Sequence, residues 1–183
     1  MSLELYFLRS SEQKILNDML YYAQKLDESD KTIKDIPQLE IYHNFYGLTR
    51  KDLGLYAMRD AQVCGAIWCR KLNKEHNSNG FIDEETPVIQ IAVKPEFRGQ
   101  GIATFMMEQF LQEVASQHKN VSVSVSDTPK SKKFFEAFGF QEVAEIKRES
   151  YLDKTPCIVM TKELELKEVV RPSDGYDPSK WLD

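Results

Sequence analysis

The sequence predicts a single-domain α/β protein whose mixed, mostly antiparallel sheet is flanked by helices. Three observations predict it. Segments patterned with a period of two alternate with segments of period 3.6, in the order β-α-α-β-β-β-α-β-α-β-β. Only Arg59-Asp60-Ala61-Gln62 separates two β-rich runs, which makes them an antiparallel hairpin. A strand-helix-strand unit over residues 88–126 needs a crossover, and a crossover joins a parallel pair. At 183 residues the chain suits one domain with a tail, here expected as 1–164 and 165–183.

Leu3 to Leu8 alternates weakly and reads as the first strand. Ser10 or Ser11 then offers an N-cap, and Ile15, Met19, Leu20, Tyr22 and Ala23 recur at helical spacing, so residues 11–25 read as an amphipathic helix. Asp35-Ile36-Pro37 resembles a helix start, with Leu39, Ile41, Tyr42, Phe45 and Tyr46 behind it and Gly47 at its end. Leu53–Met58 and Val63–Arg70 form the hairpin, and a polar loop with Asn73, Asn77, Ser78, Asn79 and Gly80 follows. Val88–Val93 is a near-continuous apolar run, expected at the centre of the sheet. From Gly101 a helix begins, with Ile102, Phe105, Met106, Phe110 and Val114 on one face. Val121–Ser126 alternates Val and Ser, the pattern of a half-buried strand. Pro129–Phe138 is a short helix closed by Gly139, and Phe140–Ile146 and Cys157–Leu164 are the last strands. Pro172, Gly175 and Pro178 make the tail extended, with Trp181 expected to dock it.

Composition excludes several classes. Hydrophobic residues make up 42% and charged residues 29%, as in an ordinary globular protein. The net charge of −5 leaves no excess cation for nucleic-acid phosphates. No run is long and apolar enough to span a membrane, and Met1–Tyr6 lacks a basic, apolar leader. Cys64, Cys69 and Cys157 are odd in number and irregular in spacing, so a reducing cytoplasm is expected and a disulfide framework is not. Cys64 and Cys69, five apart on a strand, are expected on opposite faces. His43, His76 and His118 are scattered, and no metal site is expected. The charge is uneven: residues 75–85 carry −4 and residues 94–148 carry +1.

The most informative stretch is Val93-Lys94-Pro95-Glu96-Phe97-Arg98-Gly99-Gln100-Gly101-Ile102-Ala103. A buried strand ends, a glycine-rich turn follows and a helix starts. Exposed N–H groups and the helix dipole at such an N-terminus attract anions. The glycines allow close backbone approach, and Arg98 adds a guanidinium at the mouth. The pattern implies a phosphate or pyrophosphate site. A P-loop is excluded, because no Lys follows the last Gly. A dinucleotide fold is disfavoured: Thr104 stands at the third glycine position, and antiparallel strands precede the motif.

These residues resemble the GNAT superfamily of N-acetyltransferases. Arg98-Gly99-Gln100-Gly101-Ile102-Ala103 matches that family's Q/R-x-x-G-x-G/A signature for acetyl-CoA, and Ile91-Ala92-Val93-Lys94-Pro95-Glu96 resembles the strand leading into it. Phe134-Phe135-Glu136-Ala137-Phe138-Gly139-Phe140 resembles the family's later helix, and Met160–Leu164 its final strand. The resemblance implies that the fourth and fifth strands splay around the pantetheine arm. It implies that Ile91, Ala92 and Val93 hydrogen-bond that arm, while residues Arg98, Gly99, Gln100, Gly101, Ile102, Ala103 and Thr104 bind the pyrophosphate. An N–H near Val93 would polarise the thioester carbonyl, and a neutral amine would attack it in a ternary complex.

The chain departs from the family pattern in three places. Phe135 stands where many members carry a Tyr that protonates the leaving thiolate, Pro129 where an Asn contacts the cofactor, and Val88 where a Glu lies early in the fourth strand. A catalytically weak acyl-CoA-binding module is therefore the alternative to an enzyme. Glu85, with Glu84 the nearest carboxylate to that strand, is the expected base for the incoming amine. Tyr21, Tyr22, Tyr42, Phe45, Tyr46 and Trp68 are candidate walls of an acceptor pocket, and Lys130, Lys132 and Lys133 candidate contacts for the adenosine phosphates. The expected partner is a small-molecule or peptide amine, cationic if the acidic loop at 75–85 faces it, with no nucleic acid or membrane, on a monomer or homodimer.

Overall fold

Seven strands form one sheet in the computed structural model, which describes residues 2–49 and 51–171. They are β1 (Glu4–Phe7), β2 (Leu53–Arg59), β3 (Gln62–Arg70), β4 (Val88–Val93), β5 (Asn120–Ser126), β6 (Gln141–Glu149) and β7 (Pro156–Glu163). Three helices accompany them: α1 (Gln13–Ala23), α2 (Ile102–Ala115) and α3 (Pro129–Glu136). The spatial order is β1-β2-β3-β4-β5-β7-β6, and β4 with β5 is the parallel pair. The expected mixed, mostly antiparallel single domain is thus observed. The tail prolines and Trp181 lie outside the described residues.

The sheet separates two apolar clusters, as side chains alternating along a strand require. Leu55, Ile67, Ile89, Met106, Phe110 and Val123 pack on the α2 and α3 side. Leu16, Met19, Leu20, Leu39, Trp68 and Val88 pack on the α1 side. Among the described residues no helix is long and apolar enough to cross a membrane.

Several expectations are corrected. Neither serine caps the first helix; the Glu12 carboxylate accepts the Arg9 N–H at 2.7 Å instead. The helix expected from Pro37 forms only a tight turn, Pro37–Tyr42, preceded by another at Ile33–Asp35. Side chains of β3 take the carbonyls that an α-helix would have used. Trp68 Nε1 donates to Tyr42 O at 2.9 Å, and Arg70 donates to Ile41 O at 3.0 Å and Asn44 O at 2.6 Å. Cys64 and Cys69 share one face, because the β2–β3 register slips between Ala57 and Met58 and Cys64 is the extra residue of the bulge. Finally, β5 is covered on both faces: Ser122 is fully buried and donates to Gly80 O at 2.7 Å.

Candidate active site

The site begins where the parallel pair fails. β4 and β5 share one register pair, Val88 with Ser122, and Ser122 N–H donates to Pro87 O at 3.0 Å. Beyond it the strands diverge. Antiparallel pairing with β3 holds β4 on one side and pairing with β7 holds β5 on the other, so the gap is a wedge inside a continuous sheet.

Alternation along β4 decides what faces that wedge. The Lys94 N–H bonds Cys64 O on β3 at 2.8 Å, so Lys94, Ala92 and Gln90 turn their backbone polar groups toward β3. Ile91 and Val93 therefore turn theirs into the gap, and Val93 O indeed accepts from Arg98 Nε at 3.2 Å. Of the three expected backbone contacts, Ile91 and Val93 are placed to serve a ligand. Ala92 lines the cavity, but its backbone is spent on β3.

A cavity of about 1020 Å³ occupies the wedge. On the α2 side its walls are Ile89, Ile91, Val93, Val123, Val125 and Phe135, with the phosphate-type turn at the rim. Gly99 and Gly101 adopt φ of 76° and 78°, which a side chain would oppose, and a Cβ at either would meet no atom within 4 Å. No side chain caps α2, whose first intrahelical bond runs from Phe105 N to Gly101 O at 3.1 Å. The N–H groups of Ile102, Ala103 and Thr104 precede that bond and open on the cavity. This is a ready anion cradle of backbone donors at the positive end of a helix. Arg98 lies beside it, 3.8 Å from Asp27. Gln100 is the one expected cradle residue that does not line the cavity; its amide oxygen accepts from Arg59.

Across the wedge, α3 begins with Thr128 as its N-cap, the side chain accepting from Ser131 N at 3.3 Å. Lys130 and Ser131 of its first turn line the cavity. Lys132 instead pairs with Asp127 at 2.8 Å and holds its carboxyl below the usual carboxylate range. Phe135 also faces the cavity and offers no proton.

The α1 side of the cavity has a different character. Gln90 is buried and accepts from Gln24 at 2.7 Å. The Tyr42 and Tyr151 hydroxyls lie 2.9 Å apart, and Tyr151 accepts the Asn79 N–H at 2.8 Å. Burial pushes both phenols up, Tyr42 well above the ordinary value, so both stay protonated. Ser124, Ser126 and Cys157 complete this wall, and burial raises the Cys157 thiol as well. Tyr42 is thus the one expected acceptor-wall aromatic that reaches this cavity. Tyr21 and Tyr22 border a separate groove with His43 and Lys94. Phe45 is 75% exposed on a turn, and Tyr46 and Trp68 are core residues.

Glu85 is not brought to the site. Its carboxylate is solvent-exposed and pairs with Lys71 at 2.8 Å, which holds it below its ordinary value. That direction disfavours a base. The acidic loop turns on itself: Asp83 accepts the N–H groups of Glu85 and Thr86, and only Asn79 of the preceding polar stretch reaches the cavity. Of the cavity's carboxylates, Asp127 is paired and Asp153 accepts from Thr155. The Glu28 carboxylate has no hydrogen bond or ion pair among the described residues.

A model of the GNAT acetyltransferase domain matches residues 27–164 of the chain. The fold is similar to that of YncA from Salmonella typhimurium, solved with its cofactor acetyl-CoA, at TM-score 0.65 and 12% identity, covering 94% of this chain and 99% of that one. It is similar to spermidine/spermine N-acetyltransferase SpeG from Vibrio cholerae at TM-score 0.60 and 15% identity, covering 88% and 95%. It is also similar to the ribosomal-protein-S18-alanine N-acetyltransferase from Escherichia coli at TM-score 0.64 and 12% identity, covering 91% and 97%. No curated protein matches the chain by sequence.

Proposed function

The chain belongs to the GNAT acetyltransferase family, and on that premise we propose that it moves an acetyl group from acetyl-CoA to a primary amine by direct attack in a ternary complex. The observation that carries this reading is the two-sided wedge. A cradle of uncapped N–H groups and an apolar wall occupy one face of the sheet, and a hydroxyl- and amide-lined wall occupies the other. A cofactor anchored by its pyrophosphate at Gly99, Gly101, Ile102, Ala103 and Thr104 presents its acyl end between β4 and β5. An acceptor reaches that end from the α1 side.

Each step then has a residue. The N–H groups of Ile91 and Val93 are the strand donors that face the gap, so they hydrogen-bond the pantetheine amide and polarise the thioester carbonyl. Holding both substrates in one cavity converts a bimolecular encounter into an oriented one. The amine attacks the carbonyl carbon, the C–S bond breaks, and the thiolate leaves. With Phe135 in the wall, water supplies its proton. With Glu85 remote, the amine loses its own proton to water or to Glu28. Similar folds serve a polyamine in one protein and a ribosomal-protein alanine in another, so fold alone leaves small-molecule and peptide amines both open. We place the protein in the cytoplasm, as a monomer or homodimer.

The test is free-thiol release from acetyl-CoA with a panel of primary amines. The proposal expects amine-dependent release for at least one acceptor and a rise in Tm with CoA. One observation, Phe135, favours a second reading, an acyl-CoA-binding module. Stabilisation by CoA with no amine-dependent release across the panel would establish that one instead.

A further inference from the structure

Lys25 is a cation in the polar wall with no carboxylate within ion-pair distance among the described residues. It ends α1 in a left-handed conformation, φ 57°, with its N–H bonded to Tyr22 O at 3.1 Å. A lysine adopts that backbone at a cost, and here it turns the side chain across the wedge. The ammonium donates to Ser126 Oγ at 3.2 Å, at the far end of β5. Its field reaches the Cys157 thiol, directly opposite Ser126 on β7. One of three ammonium donors is thus used, and on a neutral hydroxyl, in a chain that carries 29 acidic residues against 24 basic ones. Glu28, three residues on, lines the same cavity, and its carboxylate has no partner among the described residues.

We propose that Lys25 reads a carboxylate on the acceptor, so that the acceptor class is an amine bearing a carboxylate, an amino acid or its analogue. This deepens the acetyl transfer proposed above and rests on it. The acceptor's ammonium meets the charge of Glu28 on entry, and its carboxylate takes the two remaining N–H donors of Lys25. A cofactor phosphate is the other source of an anion. Ser126 and Cys157 share the sheet face of α1, which puts Lys25 on the acceptor's wall, while Arg98 of the cradle reaches Asp27, two residues on, so the Kd for CoA is what separates the two sources.

The experiment pairs free amino acids with the amines left by removing their carboxylates, such as tyrosine with tyramine and leucine with isoamylamine. For each, kcat/KM is measured by thiol release in the wild type, Lys25→Met and Lys25→Arg. The expected result is preference for the carboxylate-bearing member. Lys25→Met should lose about tenfold to a hundredfold on that member, the range of one charge-assisted pair, and less than twofold on its partner. Lys25→Arg should recover most of the loss, and the Kd for CoA should not change. Equal use of both members, or equal losses on both in Lys25→Met, overturns the proposal while acetyl transfer stands. A tenfold rise in the Kd for CoA reassigns Lys25 to a cofactor phosphate and also overturns it. No transfer to any amine overturns the proposed function itself, and this inference with it.

Discussion

Replacing Gly101 by Ala separates the two roles of the turn before α2. Gly101 sits at φ 78°, where an alanine costs about 1 kcal/mol of backbone strain. For a chain of this size that is roughly 2–4 °C in Tm. The added methyl meets no protein atom within 4 Å, so it adds no packing clash and projects into open cavity. There it occupies space that a pyrophosphate needs to reach the N–H groups of Ile102, Ala103 and Thr104. Losing two charge-assisted hydrogen bonds removes about 3 kcal/mol or more, over a hundredfold in Kd for CoA. Gly139→Ala is the matched control. It carries the same backbone strain at φ 87°, and its methyl meets only the flexible end of Lys162, at 2.8 Å. Isothermal titration with CoA and thermal unfolding should show equal small losses of Tm in both variants but loss of CoA binding in Gly101→Ala alone. If Gly101→Ala binds CoA within threefold of Gly139→Ala, the cradle is not where the pyrophosphate sits.

Three further outcomes are expected. Phe135→Tyr places a phenol in the cavity wall; if water now protonates the thiolate, kcat should rise at least tenfold, the low end for an added general acid being about a hundredfold. An unchanged kcat with intact folding would show that leaving-group protonation does not limit turnover. Gly80→Ala puts a methyl 2.5 Å from Val88 Cγ1 at the fork of β4 and β5, so it should cost about 1–3 kcal/mol in urea unfolding and raise the KM for acetyl-CoA. Stability should also fall as the pH drops from 7.5 to 5.5. Burial lowers the pKa of His43 and His118, and each Nε2 is buried without a partner among the described residues, so the unfolded chain takes up protons near its ordinary 6.5 that the folded chain refuses. The lost stability is present above that value; carboxylates held low, such as Asp127, act only around pH 4 and below. Tm measured against pH should fall over this window in the wild type and fall less in His43→Gln and His118→Gln.

Most of the sheet was legible because its signals are local. Val88–Val93 matches its expected bounds, since five apolar residues and one Gln between Pro87 and Lys94 leave little room for another register. The glycine turn before α2 was legible for the same reason: Gly99 and Gly101 are needed by backbone angles within their own turn. What failed depends on contacts between distant segments. Nothing near Ile41 or Tyr42 announces that Trp68 and Arg70 will take their carbonyls and stop a helix. Glu85 misled by proximity along the chain. It lies six residues before Ile91, but its carboxylate turns to Lys71 rather than to the part of β4 that faces the gap. The polar wall was invisible for a related reason: Gln24, Tyr42, Asn79, Gln90, Tyr151 and Cys157 come from six separate segments.

On the proposed function, the wedge lets one strand serve two substrates without compromise. In β4 the odd positions Ile89, Ile91 and Val93 send side chains to the α2 face, while the even positions Gln90 and Ala92 send theirs to the α1 face. The polar backbone of the odd positions, freed where β5 diverges, points between the faces. On the proposed function, the groups that meet the acyl carbonyl are main-chain groups, which substitution does not remove. Side chains on the α1 face can change without altering them, and Gln90, Tyr42 and Tyr151 are held by bonds to one another or to α1 rather than to the cradle. Recognition of the cofactor then depends on backbone angles and recognition of the acceptor on side chains, so a substitution such as Lys25→Met should reach one without disturbing the other.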